Sequence, residues 1–157
     1  QKQFSAIRLQ VLSKPREISQ LAEDVVLMRE KMRAHLAKGN TDNIDLKQDT
    51  GGIADIEFIV QFMLLAHTNA YPSLAKWPDN VRILSDLANL SLITQVEADT
   101  LTHAYLEYRH YAHRLALQNK TLVKVTPSLV DLQLAVKAIW HKYLGAQAKV
   151  LQNDINS

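Results

Sequence analysis

Two carboxylates, Asp55 and Glu57, stand one residue apart just behind a double glycine in the stretch DLKQDTGGIADIEFIVQFMLL, residues 45–65. An Asp-x-Glu pair on a strand or an extended loop could aim both carboxylates at one metal site. The surrounding residues are apolar on nearly every side, which predicts a central helix instead. On a helix the two carboxylates point roughly 160° apart, so they cannot act as a one-face pair. Glu57 and Gln61, four residues apart, do share a face. A carboxylate buried among apolar side chains needs a cationic or hydrogen-bonding partner. Arg82, Arg109 and Arg114 are the expected partners, and Asp55, Glu57, Gln61, Arg82, Arg109, His113 and Arg114 are grouped here as a buried polar network.

Gly51 and Gly52 are two of only four glycines in the chain. They suit a turn in which the backbone takes positive φ between a loop and a helix. They also suit close approach of a phosphate to the helix N-terminus, with Lys47 nearby. No G-x-x-x-x-G-K-[ST] motif occurs, so this is not a Walker loop.

The remaining chemistry-bearing types give less. His103, His110 and His113 fall on one side of a predicted helix, and His110-x-x-His113 has the i, i+3 spacing of a chelate. No acidic residue joins them at ligand spacing, and Tyr105, Tyr108 and Tyr111 point to packing, so no metal is expected. His113-Arg114 reads as a polar cluster facing another helix. No Ser/His/Asp or Cys/His arrangement is legible.

The elements that must position these residues are helical. Ile18, Leu21, Val25, Met28, Met32 and Leu36 recur at three- and four-residue steps after Pro15, and Lys38–Asn40 ends that helix. A shorter helix precedes it over Phe4–Leu12. A polar connector, TDNIDLKQDTGG, leads into a helix over Ile53–His67. Pro78 seats a helix over Asp79–Leu90. Thr94 and Glu97 form a T-x-x-E capping box before a long helix to about Asn119. Thr126-Pro127 opens a last helix through Tyr143, where Gly145 is placed to stop or bend it. β-Branched alternation is confined to TLVKV at 121–125. The fold class is all-α: a single domain over 1–157, a bundle of five or six helices with one long central hairpin.

Bulk properties fit that reading. The chain has 157 residues, 47% of them hydrophobic and 22% charged, which is ordinary for one globular domain. Eighteen basic and sixteen acidic residues give a net charge of +2, too balanced to predict a nucleic-acid partner. No apolar run reaches the length of a membrane span. There is no cysteine, which excludes disulfides and thiolate metal sites and fits a cytoplasmic protein. The start, QKQFSAIRLQ, has neither methionine nor a signal core and reads as a cut from a longer chain.

Five stretches in this order carry a resemblance: MREKMR (28–33), DLKQDTGGIADIEFIVQ (45–61), WPDNVRIL (77–84), AYLEYRHYAHRLALQ (104–118) and IWHKYL (139–144). From about Phe4 to Leu144 the chain resembles the last part of the bacterial glutamine synthetase adenylyltransferases, bifunctional adenylylating and adenylyl-removing enzymes. The K-x-x-x-G-G core also looks like the segment behind the catalytic domain of PII uridylyltransferases. The first family has two nucleotidyltransferase halves, each followed by a helical domain, and DNVRIL with IWHKYL resembles the C-terminal, adenylylating half. The resemblance implies a non-catalytic helical domain behind an upstream nucleotidyltransferase domain that transfers AMP from ATP, with Mg²⁺, to a tyrosine of glutamine synthetase. The G-S turn and D-x-D that hold Mg²⁺ and ATP in that group do not occur here, so the fragment is expected to bind neither and to be inactive alone. By the same resemblance Lys47, Gly51 and Gly52 border the nucleotide cleft. Relatives often carry a basic residue where Ala54 stands and Glu where Ala112 stands. Glutamine synthetase and the PII signal protein are the implied partners. The rival reading is an interaction module that docks one of them without touching nucleotide.

Overall fold

The computed structural model describes residues 2–155, and the side-chain surroundings of residues 5–145. Six helices dominate: α1 (Lys2–Leu12), α2 (Ile18–Leu36), α3 (Ile53–His67), α4 (Asn80–Asn89), α5 (Gln95–Leu117) and α6 (Pro127–Ile155). A short 3₁₀ turn covers Pro72–Lys76 between α3 and α4. The all-α expectation therefore holds. A two-stranded antiparallel ribbon is added to it: β1 (Asn43–Ile44) pairs with β2 (Val123–Lys124), Asn43 opposite Lys124 and Ile44 opposite Val123. Strand β2 lies within the β-branched alternation at 121–125, where no strand is assigned from the sequence. The polar connector that supplies the other gave no sign of it. No described helix is long and apolar enough to cross a membrane.

Local chemistry sets the helix ends. The guanidinium of Arg16 donates to the carbonyls of Val11, Leu12 and Lys14 and so closes the C-terminal end of α1, where carbonyls have no helical partner. Pro15 thus lies in the turn between α1 and α2. Asp79 caps α4 by accepting from the Arg82 amide. The capping box of α5 is present in full: Thr94 Oγ1 accepts from the Glu97 amide, and Glu97 accepts from the Thr94 amide. Thr126 Oγ1 accepts from the Leu129 amide at the start of α6. Gly145 does not stop that helix, which runs on to Ile155.

The core is built around α3, which packs against α2, α4, α5 and α6. Ile56, Val60 and Leu64 are almost wholly buried there, as an apolar central helix requires. The stripe predicted on α2 is rotated. Leu21, Ala22, Val25, Val26 and Arg29 face inward, whereas Ile18, Met28 and Leu36 are about half exposed. The two longest helices, α5 and α6, are clamped through Glu97. Its carboxylate accepts from the Tyr143 hydroxyl at 2.6 Å and pairs with Lys142 at 2.9 Å. Burial pushes the Glu97 carboxyl up, but the hydrogen bonds from Tyr143, Thr94 and Lys142 outweigh it and hold it at about 2. Burial and the bond to Glu97 push the Tyr143 phenol up to about 12, so it remains a donor.

A carboxyl lowered on folding stabilises the fold above its unfolded value, 4.5, and loses that contribution as pH falls towards 2. Urea unfolding of Glu97→Gln should therefore show a deficit against the parent at pH 7 that closes between pH 4.5 and pH 2. A deficit independent of pH contradicts the clamp.

Candidate functional site

The connector between α2 and α3 folds on its own polar side chains. Asp45 Oδ1 accepts from the amides of Lys47 (3.1 Å) and Gln48 (3.0 Å), and its Oδ2 from the Lys38 amide (3.2 Å). Asp49 Oδ2 in turn accepts from the Asp45 amide at 2.9 Å. The Asp49 carboxyl is pushed above its usual range, chiefly by burial, although the Asp45 amide works against this. The chain then doubles back, so that connector carbonyls take the first amides of α3: Ile53 N–H to Leu46 O (2.8 Å) and Ala54 N–H to Lys47 O (3.0 Å). These are the orphan donors that would otherwise make a helix N-terminus an anion site. The helix start is thus spent on its own loop.

Both glycines are required by close approach. Gly51 has φ +79°, and a Cβ there would lie 2.4 Å from the backbone oxygen of Gln133 on α6. A Cβ on Gly52 would lie 2.4 Å from the Leu46 carbonyl oxygen. Gly51 is held on both sides: its amide donates to Asp55 Oδ2 at 2.7 Å, and its carbonyl accepts from the Tyr108 hydroxyl at 2.8 Å. Burial, and then the nearby Asp55 charge, push the Tyr108 phenol upward, which keeps it a donor.

Asp55 is the hub of this joint. Arg29 Nε donates to its Oδ1 at 2.6 Å, and Arg33 reaches the same oxygen at 3.1 Å. Arg29 also donates to the side chain and the carbonyl of Gln48, and its guanidinium lies 5.9 Å from the Phe58 ring centre. Arg29 and Asp55 are 0% and 1% exposed, so this is a buried ion pair with nearly every polar atom engaged. Among the described residues, Arg33 Nε is the one buried side-chain polar atom without a partner.

The expected polar network is therefore corrected in its partners. Asp55 is buried and paired, but with Arg29 and Arg33 on α2. Arg82, Arg109, His113 and Arg114 are all exposed. Arg82 pairs with Asp79 at 3.5 Å and covers the Trp77 ring. Arg109 and Arg114 lie over Tyr105 and Tyr111. The reason is helical phase: the buried stripe of α5 is Ala98, Leu101, Ala104 and Tyr108, and positions 109, 113 and 114 fall off it. Arg29 could have been found, since it follows the buried Val25 by four residues and so keeps to the inward stripe. Glu57 is half-buried and Gln61 exposed, away from Asp55 as the helical angle demands.

Two of the surface grooves flank this joint. Lys47 is exposed and lines one of about 450 Å³ with Lys38 and Lys120, over a floor that includes Leu46, Ile53 and Leu115. None of these lysines is in a salt bridge among the described residues. Gly51 and Gly52 are buried rather than open to this groove. The second groove, of about 510 Å³, runs between α2 and α3 and takes in Asp24, Glu57 and Gln61. His103, His110 and His113 are exposed on α5, and no group of three or more His, Asp or Glu among the described residues could hold a metal ion.

Residues 9–138 match the family model described as GlnD PII-uridylyltransferase. A bifunctional glutamine synthetase adenylyltransferase/adenylyl-removing enzyme of Pasteurella multocida (strain Pm70) is 43% identical over 143 residues, 90% of this chain and 14% of that protein. The protein of the same description from Idiomarina loihiensis (strain ATCC BAA-735 / DSM 15497 / L2-TR) is 44% identical over 138 residues, 88% of this chain and 14% of its own length. The chain thus spans about one seventh of the length of these curated relatives.

Removing Asp55 leaves Arg29 charged and buried without its main partner. Asp55→Ala should cost about 3–5 kcal/mol of stability in urea unfolding. Gly51→Ala should cost on the order of 1–3 kcal/mol, because it strains positive φ and meets α6. A loss below about 1 kcal/mol for Asp55→Ala contradicts the hub.

Proposed function

The chain belongs to the GlnD PII-uridylyltransferase family and has bifunctional glutamine synthetase adenylyltransferase/adenylyl-removing enzymes as relatives, and from that premise we propose that it is the helical domain behind the adenylylating site of such an enzyme. The observation that carries this reading is 43% identity running through 90% of the chain. The reaction served is attack of a tyrosine hydroxyl of glutamine synthetase on the α-phosphorus of ATP. The new O–P bond forms as the bond to the β-phosphate oxygen breaks, pyrophosphate leaves, and the phenolic proton passes to a base or to water.

The residues of this chain do not fit the Mg²⁺ that such chemistry uses. The oxygens of Asp55 are occupied by two arginines and an amide, and Glu57 points away from them. The metal and the triphosphate belong, in this proposal, to an upstream nucleotidyltransferase domain of the same polypeptide. The helical domain alone then transfers no AMP. Its contribution is a wall beside the nucleotide, with the exposed Lys47 as the charge it offers. Gly51 and Gly52 act there by position only, fixing the loop that carries Lys47. The domain's exterior would meet glutamine synthetase or the PII signal protein.

Lys47 tests the reading because its side chain is exposed and bears no structural ion pair. In the longer enzyme, Lys47→Ala should lower kcat/KM for ATP about tenfold, the worth of one charge-assisted contact. Tm should be unchanged, and Lys47→Arg should restore most of the loss. Full adenylylation by Lys47→Ala and Lys47→Glu overturns the wall role.

A further inference from the structure

The groove between α2 and α3 is chemically unlike the lysine groove. Its lining is largely apolar, from Leu21, Val25 and Met28 on one helix and Phe58 and Leu65 on the other. Asp24 and Glu57 stand along its length on opposite helices. No lysine or arginine lines it. Neither carboxylate is in a salt bridge among the described residues; Asp24 accepts only a hydrogen bond from Gln20. Of the cations on α2, Arg29 and Arg33 are committed to Asp55, and Lys31 is exposed but does not line the groove.

We propose that this groove docks an amphipathic helix of a partner protein, with apolar anchors flanked by lysine or arginine. Three observations select that occupant. A trough between two packed helices accepts a third helix lying ridge into groove. The lining offers apolar area: Met28 is 59% exposed, and a flexible thioether adapts to varied anchors. The two free carboxylates attract a cationic flank and repel nucleotides, acidic helices and anionic lipid surfaces. The proposal does not rest on the adenylyltransferase reading, since it uses neither Lys47 nor nucleotide.

The test uses two synthetic helical peptides with the same leucine positions, one carrying lysine and the other glutamate at the flanking positions. Each is titrated into the 157-residue chain with methyl-labelled methionine and followed by NMR. The lysine peptide should bind at least about tenfold more tightly, a difference of about 1.4 kcal/mol, and shift the Met28 methyl. The double variant Asp24→Lys/Glu57→Lys should reverse the preference. Both substitutions are at solvent-accessible positions, and circular dichroism checks that the variant is folded. If the double variant is unfolded, Glu57→Gln replaces it and should lower the lysine peptide's affinity. Equal affinity for both peptides, or no shift at Met28, overturns the proposal. So does a mass that rises with concentration without peptide and falls in the double variant, which would give the groove to a second copy of the chain.

Discussion

The buried pair of Arg29 and Asp55 is the constraint on which the rest of this fold depends. Two charges taken out of water are tolerated only when nearly every lone pair and proton is engaged. Meeting that demand draws four pieces of chain to one point. The α2 helix supplies the arginines, the connector supplies the acceptors on Gln48, the turn supplies the Gly51 amide, and α3 supplies the carboxylate. Tyr108 then ties the other side of Gly51 to α5. The Gly51 backbone can lie against α6 because no side chain intervenes. The joint therefore registers α2, α3, α5 and α6 against one another, which apolar packing alone would do less uniquely.

The same geometry sorts the remaining charges. Turning Asp55 inward on α3 forces Glu57 outward, into the groove shared with α2. Drawing connector carbonyls over the start of α3 consumes its first amides, and the exposed charges beside it are those of Lys38, Lys47 and Lys120. One helix thus separates a basic groove from an acidic one. The proposed role of Lys47 draws on the basic groove, and the proposed helix docking draws on the acidic one.

Much of this was legible in the sequence. The helical order, the α5 capping box, the Thr126-Pro127 start and the divergence of Asp55 from Glu57 all follow from local spacing. What was missed is tertiary. Arg29 lies 26 residues from Asp55, and an arginine on an apolar stripe is usually read as the stripe's edge. Two of the expected partners, Arg109 and Arg114 on α5, are carried to the surface by helical phase. Strand β1 was hidden because two residues pair only when a distant segment arrives. The closure of the α3 N-terminus by Leu46 and Lys47 carbonyls depends on the backbone path of a loop, which residue types do not specify.

The most direct test of the hub is hydrogen exchange at the Gly51 amide, the donor that joins the turn to Asp55. In the parent chain this amide should exchange as slowly as the core amides of α3, through global unfolding. In Arg29→Met at a pH where the variant stays folded, it should become fast by local opening while the α3 core stays protected. A Gly51 amide that already exchanges rapidly in the parent contradicts the account.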